Sequence, residues 1–339
     1  MMSRLSYIVL LLAIPVTVSC IEVNDVKDKL DIRLSPQTNV STKAPVDGTV
    51  MPEGRTMVVS AYYNADRGES GNYFTAAVFA KGLSTWVASG TPRYWPLDGS
   101  LDFLMYSADG ISATPSWNDK VTSGVTLTVP DNSSAQTDIL HGRLDRQTRA
   151  FGGNPVVMRH AQALVMFIAS SEVGYDGTAN HGITIDRIAL EGARYSGFVY
   201  MTYDPMQDGG WCSWSDLASA KNKDVPNAGG VMAFPYDVPQ TAVDIADTGC
   251  HLGIGGAGIL VPEQPAVGIC VYYTMHNGYD DAGAAINNSL QKALSLTEDW
   301  KEGKKYVYEL HFVMNEIIVK PIVVDWVNQA VQEAQIPQN

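Results

Sequence analysis

This sequence predicts an all-β protein. Apolar residues recur at every second position in many short runs, as half-buried strands require. Val, Thr and Tyr are plentiful, while 30 glycines and 17 prolines punctuate the chain at short intervals. No amphipathic helical pattern extends beyond about three turns. The clearest run lies near the end. Tyr306, Tyr308, Leu310, Phe312 and Met314 fall on one face, and Val307, Glu309, His311 and Val313 on the other. Lys301 to Lys304 is a charged turn leading into it, and Ile317 to Val324 reads as a second strand. Pro321 has no amide hydrogen for a ladder, so this strand belongs at a sheet edge or bend. The pair reads as the closing hairpin of a β-sandwich.

The first 20 residues read as a targeting segment. Arg4 supplies the positive charge and Tyr7 to Val18 the apolar core. That core is too short for a membrane span, which takes about 20 residues, and fits a signal peptide. Thr17-Val18-Ser19-Cys20 is similar to a bacterial lipobox with threonine in place of the usual leucine. It predicts lipidation of Cys20 and anchoring to membrane lipid, stable because several acyl chains insert together. The plainer reading is a secretory signal with an incidental cysteine. Three cysteines remain, Cys212, Cys250 and Cys270, enough for one disulfide at most. Their spacing, with His251, matches no zinc pattern, so they read as buried thiols.

Residues 21–28 are a polar, acidic tether. Leu30, Ile32 and Leu34 then point one way and Asp31, Arg33 and Ser35 the other, a short one-sided strand. Pro36 to Gly54 is rich in Pro, Thr, Ser and Asn without periodicity. Loops that long are uncommon in compact domains unless functional, and they are where proteases cut. Arg55 to Asn64 is apolar on both faces and reads as a central strand. Tyr73 to Ala80 and Ser84 to Ala88 form a hairpin, followed by strands at Leu101 to Ala108 and Val121 to Pro130. Thr137 to Gly153 is polar, carries Arg143, Arg146 and Arg149, and reads as a crossing between domains.

A second series starts at Pro155. His160 to Ala169 reads as a central strand, followed by Ile183 to Glu191 and Gly197 to Tyr203. Asp204 to Asn227 is an insertion holding Trp211, Cys212 and Trp214. Val231 to Pro235, Gly258 to Pro262 and Val267 to Met275 are further strands, and Asn277 to Ala293 reads as a polar loop. The expected organisation is therefore a signal peptide (1–20), a tether with first strand and protease-sensitive loop (21–54), β-sandwich domains at 55–154 and 155–326, and a tail (327–339). The first domain is completed by the strand at 29–35.

Little in the chain points to catalysis. Gly253 to Gly258 matches GxGxxG, but a strand ended by Pro262 follows where a dinucleotide site needs a helix. Asn64, Asp66 and Gly68 only faintly resemble a calcium loop, lacking the glutamate at the twelfth position. His160 and His311 lie in strands and read as structural. No nucleophile–base or metal constellation appears, so neither enzyme activity nor a cofactor is expected. The net charge of −13 argues against nucleic acid, which needs a basic face. Trp211 and Trp214 share a face if extended; they read either as cover for a domain edge or as a stacking surface for a sugar ring.

Several stretches, in order, carry a family resemblance: the lipobox at Cys20, KLDIRLS at 29–35, STKAP at 41–45, EGRTMVVSAYYN at 53–64 and YWPLDGSLDFLMYSA at 94–108. MRHAQALVMFIAS, ITIDRIALEGARYSG and the closing WKEGKKYVYELHFVMNEI to VVDW complete the set. Together they resemble the fimbrillins, the pilins of type V pili and related surface lipoproteins of Gram-negative gut and oral bacteria. The resemblance implies two tandem transthyretin-like β-sandwich domains and export as an outer-membrane lipoprotein. It also implies removal of the first strand by a trypsin-like protease, with a neighbouring subunit's strand filling the vacated groove. By position the cut falls after Lys43; Arg55 is the alternative, whereas Arg33 lies inside the first strand and is shielded. The plug residues would be Leu30, Ile32 and Leu34, and the donor the C-terminal region after about Ile322. Partners would be other pilin subunits and a host glycan or protein, in a fimbrium serving adhesion. A non-polymerising, carbohydrate-binding surface lipoprotein using Trp211 and Trp214 is the alternative. Composition and spacing alone reach an exported two-domain β protein; the step to a pilus belongs to the resemblance.

Overall fold

The computed structural model describes residues 29–37, 54–82, 85–107, 112–116, 124–129, 137–149, 153–171, 181–202, 212–225, 230–232, 251–252, 258–313 and 316–326. Regular structure among them is entirely β, in four sheets. The first is eight-stranded. It contains β1 (Arg33–Gln37), β2 (Thr56–Asn64), β3 (Gly71–Lys81), β4 (Trp86–Ala88), β5 (Ser100–Ser107), β8 (Leu140–Gln147), β9 (Asn154–Val157) and β10 (Arg159–His160), in the order β10-β8-β5-β2-β3-β4-β1-β9. The second is four-stranded, β14-β13-β7-β6, from β6 (Ser112–Ser116), β7 (Gly124–Val129), β13 (Gly197–Thr202) and β14 (Cys212–Ser215). It therefore pairs strands from either side of residue 154, through β7 and β13.

The other two sheets face each other as a β-sandwich. One runs β17-β11-β21-β22, with β18 also on β11: β11 (Ala163–Ser171), β17 (His251–Leu252), β18 (Ile259–Val261), β21 (Lys304–Val313) and β22 (Glu316–Asp325). Its partner runs β15-β12-β19-β20, with β16 also on β12: β12 (His181–Ala193), β15 (Lys221–Asp224), β16 (Gly230–Met232), β19 (Gly268–Tyr279) and β20 (Ala285–Ser295). Phe167, Ile185, Val271, Trp300, Tyr308 and Phe312 meet between them. The alternation expected in the closing hairpin is present: Tyr306, Tyr308, Leu310 and Phe312 are buried while their neighbours are partly exposed. Pro321 sits on β22, which pairs only with β21 among the described residues and so forms a sheet edge.

In the eight-stranded sheet the period of two also sets the core. Met57, Val59 and Ala61 of β2 point into an interior shared with Phe79, Leu101 and Phe103. The sheet curls until β8 and β9 approach. Gly142 makes that possible: a Cβ there would lie 2.7 Å from Met158 Sδ and 3.0 Å from Val156 Cγ2. The opposite face of β2 and β5 packs Leu104 and Tyr106 with Val199 and Met201 of the four-stranded sheet.

Four expectations change. Thr137 to Gly153 is not a crossing but contains β8, which lies between β10 and β5 in the first sheet. Arg143 on β8 is buried at 6 % exposure, and its Nε donates to Asp145 Oδ1 at 2.7 Å. Asn277 to Ala293 is not a loop but supplies most of β20, whose side chains are almost all exposed. With no buried face, that strand has no alternation to read. The strand expected at His160 to Ala169 is two: β10 belongs to the first sheet and β11 to the sandwich. Lastly, β1 continues through Pro36 and Gln37, the start of the expected loop.

His141, 1 % exposed on β8, yields a test. Burial, then the nearby Arg159 and His160 charges, push its pKa from 6.5 down to about 3. The unfolded chain thus binds a proton below pH 6.5 that the folded chain refuses, so stability falls as pH drops from 6.5 toward 3. The expected slope is about 1.4 kcal/mol per pH unit in that window. Urea titrations at pH 7 and pH 5 check it, and His141→Leu should remove that share of the slope.

Candidate functional site

The distinctive feature is where the first strand lies. β1 is not at an edge: it pairs antiparallel with β4 (Arg33 opposite Val87, Leu34 opposite Trp86) and parallel with β9 (Leu34 opposite Asn154 through Gln37 opposite Val157). The residues just before it continue the pairing. Ile32 N–H donates to Arg93 O at 2.7 Å, Trp95 N–H donates to Leu30 O at 2.9 Å, and Asp31 bridges Tyr94. The main chain from Leu30 to Gln37 is thus held along a slot between two other segments of the chain.

Side chains follow the alternation. Ile32 is 1 % and Leu34 0 % exposed, in the same cluster as Trp86, Trp95, Phe103 and Val156. Leu30 is half-buried at the mouth of that cluster. Each fully buried side chain contributes about 1.5–3 kcal/mol, and each ladder hydrogen bond roughly 1 kcal/mol. On the outer face Arg33 and Asp31 lie 4.0 Å apart with both side chains over two-fifths exposed, a contact of little energetic weight. The walls are aromatic: Trp95 meets Phe103 edge-on at 5.7 Å, and the Arg93 guanidinium lies 5.3 Å above Phe74.

Gly153 shapes the rim. Its φ of +86° suits glycine, and an added Cβ would lie 3.0 Å from Ser35 Oγ and 3.1 Å from Thr85 Cγ2. Gly153→Val is therefore expected to loosen β1 selectively. Amide hydrogen exchange in a 29–37 peptide should quicken by about tenfold or more, the equivalent of at least 1.4 kcal/mol, while β5 stays protected. Unchanged exchange in 29–37 would refute this.

Of the other candidate residues, Cys20, Lys43 and Trp211 lie outside the described residues. Arg55 is half-buried directly before β2, whose first residue, Thr56, pairs with Ala80. Trp214 is half-buried, packs against the cluster of Leu104 and Val199, and donates its indole N–H to Ala161 O at 2.8 Å. That is a structural placement beneath the four-stranded sheet. His160, expected to be a satisfied core histidine, has Nδ1 2.9 Å from Asp138 Oδ1. Asp66 accepts the Gly99 N–H at 3.1 Å. Cys270 is a buried free thiol. Among the described residues no group of three His, Cys, Asp or Glu side chains could hold a metal. The sequence reading did not anticipate the groove walls, Trp86, Trp95 and Val156, or the rim at Gly153. The only advance signal was the one-sided pattern of the plug itself.

Fold and groove together define a β-sandwich protein whose first sheet is completed by β1. The chain belongs to the fimbrillin-like family, whose sequence pattern matches residues 42–326. A fimbrial protein from Bacteroides vulgatus ATCC 8482 shares the fold, with 14% identity and a TM-score of 0.63 over 87% of this chain and 99% of that one. A candidate cell adhesion protein from Bacteroides uniformis ATCC 8492 aligns at 13% identity with a TM-score of 0.49, over 88% of this chain and 98% of that one. No curated protein matches the chain.

Proposed function

We propose that this chain is a fimbrial subunit of the cell surface that serves adhesion and assembles by exchange of its first strand. The observation that carries the reading is the burial of Ile32 and Leu34 in a strand paired on both sides. Taking such a strand away leaves an apolar slot between two unpaired edges, which recruits another strand. Since plug and slot are different surfaces, the contact is heterologous and grows an open filament. The precursor is anchored by lipid at Cys20, and cleavage after Lys43 or Arg55 releases the plug.

The incoming strand is β22 of a second copy, together with the residues after it. Ile317-Ile318-Val319-Lys320-Pro321 has the spacing of Ile32-Arg33-Leu34-Ser35-Pro36: apolar residues two apart, then proline two further on. In both strands the first two positions face a core, with Ile317 3 % exposed and Val319 packed at its margin. β22 is also an edge strand with one neighbour to give up, among the described residues. Entering in the direction of β1, it reproduces the antiparallel ladder with β4 and the parallel one with β9.

N-terminal sequencing of polymerised protein taken from cells tests this. A start at Ala44 or Thr56 is expected. Filaments whose subunits still carry residues 29–37 would end the strand-exchange reading.

A further inference from the structure

The last described residue of the chain, Trp326, crosses from the sandwich to the first sheet. It is 3 % exposed and its ring lies flat on the His160 imidazole, centroids 3.5 Å apart at 7°. His160 belongs to β10 and is itself held by Asp138, 2 % exposed. The main chain repeats the link: Trp326 N–H donates to Gly303 O at 2.7 Å, and Gly303 N–H donates to Gln162 O at 3.1 Å. The Gln162 side chain in turn accepts the Ile139 N–H at 3.1 Å. Leu164, Met166 and Leu260 complete the socket.

We infer that Trp326 is a latch: by docking on His160 it keeps the C-terminal end of β22 in place and sets how readily that strand leaves its own sandwich. The inference rests on the reading of β22 as the exchanged strand. Departure of β22 is resisted by its ladder with β21 and by Ile317 in the sandwich core, while its outer face adds little. The strand has one neighbouring strand, and Ile318, Val323 and Val324 are each about two-fifths exposed. Nor is the latch a perfect fit. Among the described residues the buried indole Nε1 has no hydrogen-bond partner, which weakens the docked state relative to one in which that N–H meets water. A tight stack with an unsatisfied polar atom is suited to holding a strand and then letting it go.

The consequence is that the two halves of the chain are not independent in assembly. Releasing β22 pulls Trp326 off β10, so the surface of the first sheet at β10 changes whenever the donor strand is freed.

Hydrogen exchange on the full chain, purified after export, tests the latch through a peptide covering 316–326. Trp326→Leu keeps an apolar side chain but removes the stack and part of the volume, and is expected to quicken exchange there by about tenfold. Trp326→Phe keeps a flat ring, drops the orphaned N–H, and should exchange no faster than the parent. β20, an edge strand on the facing sheet, serves as the control and should not change. Unaltered exchange across 316–326 in Trp326→Leu overturns the latch, whatever happens to assembly. Assembly after trypsin treatment is followed in parallel by light scattering. Faster exchange with faster assembly supports both latch and donor. Faster exchange with unchanged assembly supports the latch and counts against β22 as donor.

Discussion

Deleting residues 29–37 is expected to give a ladder of soluble oligomers without a fixed end point, where the undeleted chain is expected to elute as a monomer. The deletion strips Ile32 and Leu34 from the core they share with Trp86 and Val156. It also leaves β4 and β9 with unpaired edges on either side of the gap. At about 1.5–3 kcal/mol for each buried side chain and roughly 1 kcal/mol for each ladder bond, the loss is a large share of a typical 5–15 kcal/mol domain stability. An unfilled slot is therefore not expected to persist when copies of β22 are available. Adding a KLDIRLSPQ peptide should cap the slots and return monomer. Size exclusion that finds the deleted chain well folded and monomeric at tens of micromolar would contradict this, since the groove would then be stable empty.

Trp300→Ala should be the most destabilising single substitution outside the groove. Trp300 is fully buried, and its indole N–H donates to the Tyr308 hydroxyl at 2.9 Å, itself fully buried. Truncation costs about 3–5 kcal/mol for the cavity. Stranding the Tyr308 hydroxyl adds roughly 1–3 kcal/mol. Trp300→Phe refills much of the space and should recover most of the first share but not the second. Urea unfolding followed by far-ultraviolet circular dichroism measures both. A loss below about 2 kcal/mol for Trp300→Ala would mean that the two sheets of the sandwich can close over the gap.

How far the chain could be read in advance depended on whether a strand buries one face. The closing hairpin could be read residue by residue because Tyr306, Tyr308, Leu310 and Phe312 all enter one core. The plug could be read for the same reason, from Leu30, Ile32 and Leu34. β8 could not, since Arg143 and His141 are buried where the pattern expects apolar residues. β20 could not, because almost no side chain on either face is buried. The run from His160 to Ala169 misled for another reason. Between His160 and Ala169 only Gln162 interrupts the apolar residues, and one polar residue is too little to mark the switch of sheets between His160 and Ala163.

By itself, then, the sequence determined an all-β chain, the short one-sided strand near residue 32 and the closing hairpin with Pro321 at an edge, since each follows from local alternation and backbone chemistry. Only the tertiary structure decided that β1 lies between β4 and β9, that Gly153 leaves room for it, that β7 pairs with β13, and that Trp326 rests on His160. Those are pairings between segments far apart in the chain, chosen by which edges and apolar faces remain to be covered once local strands have formed, and no short window of residues contains that choice.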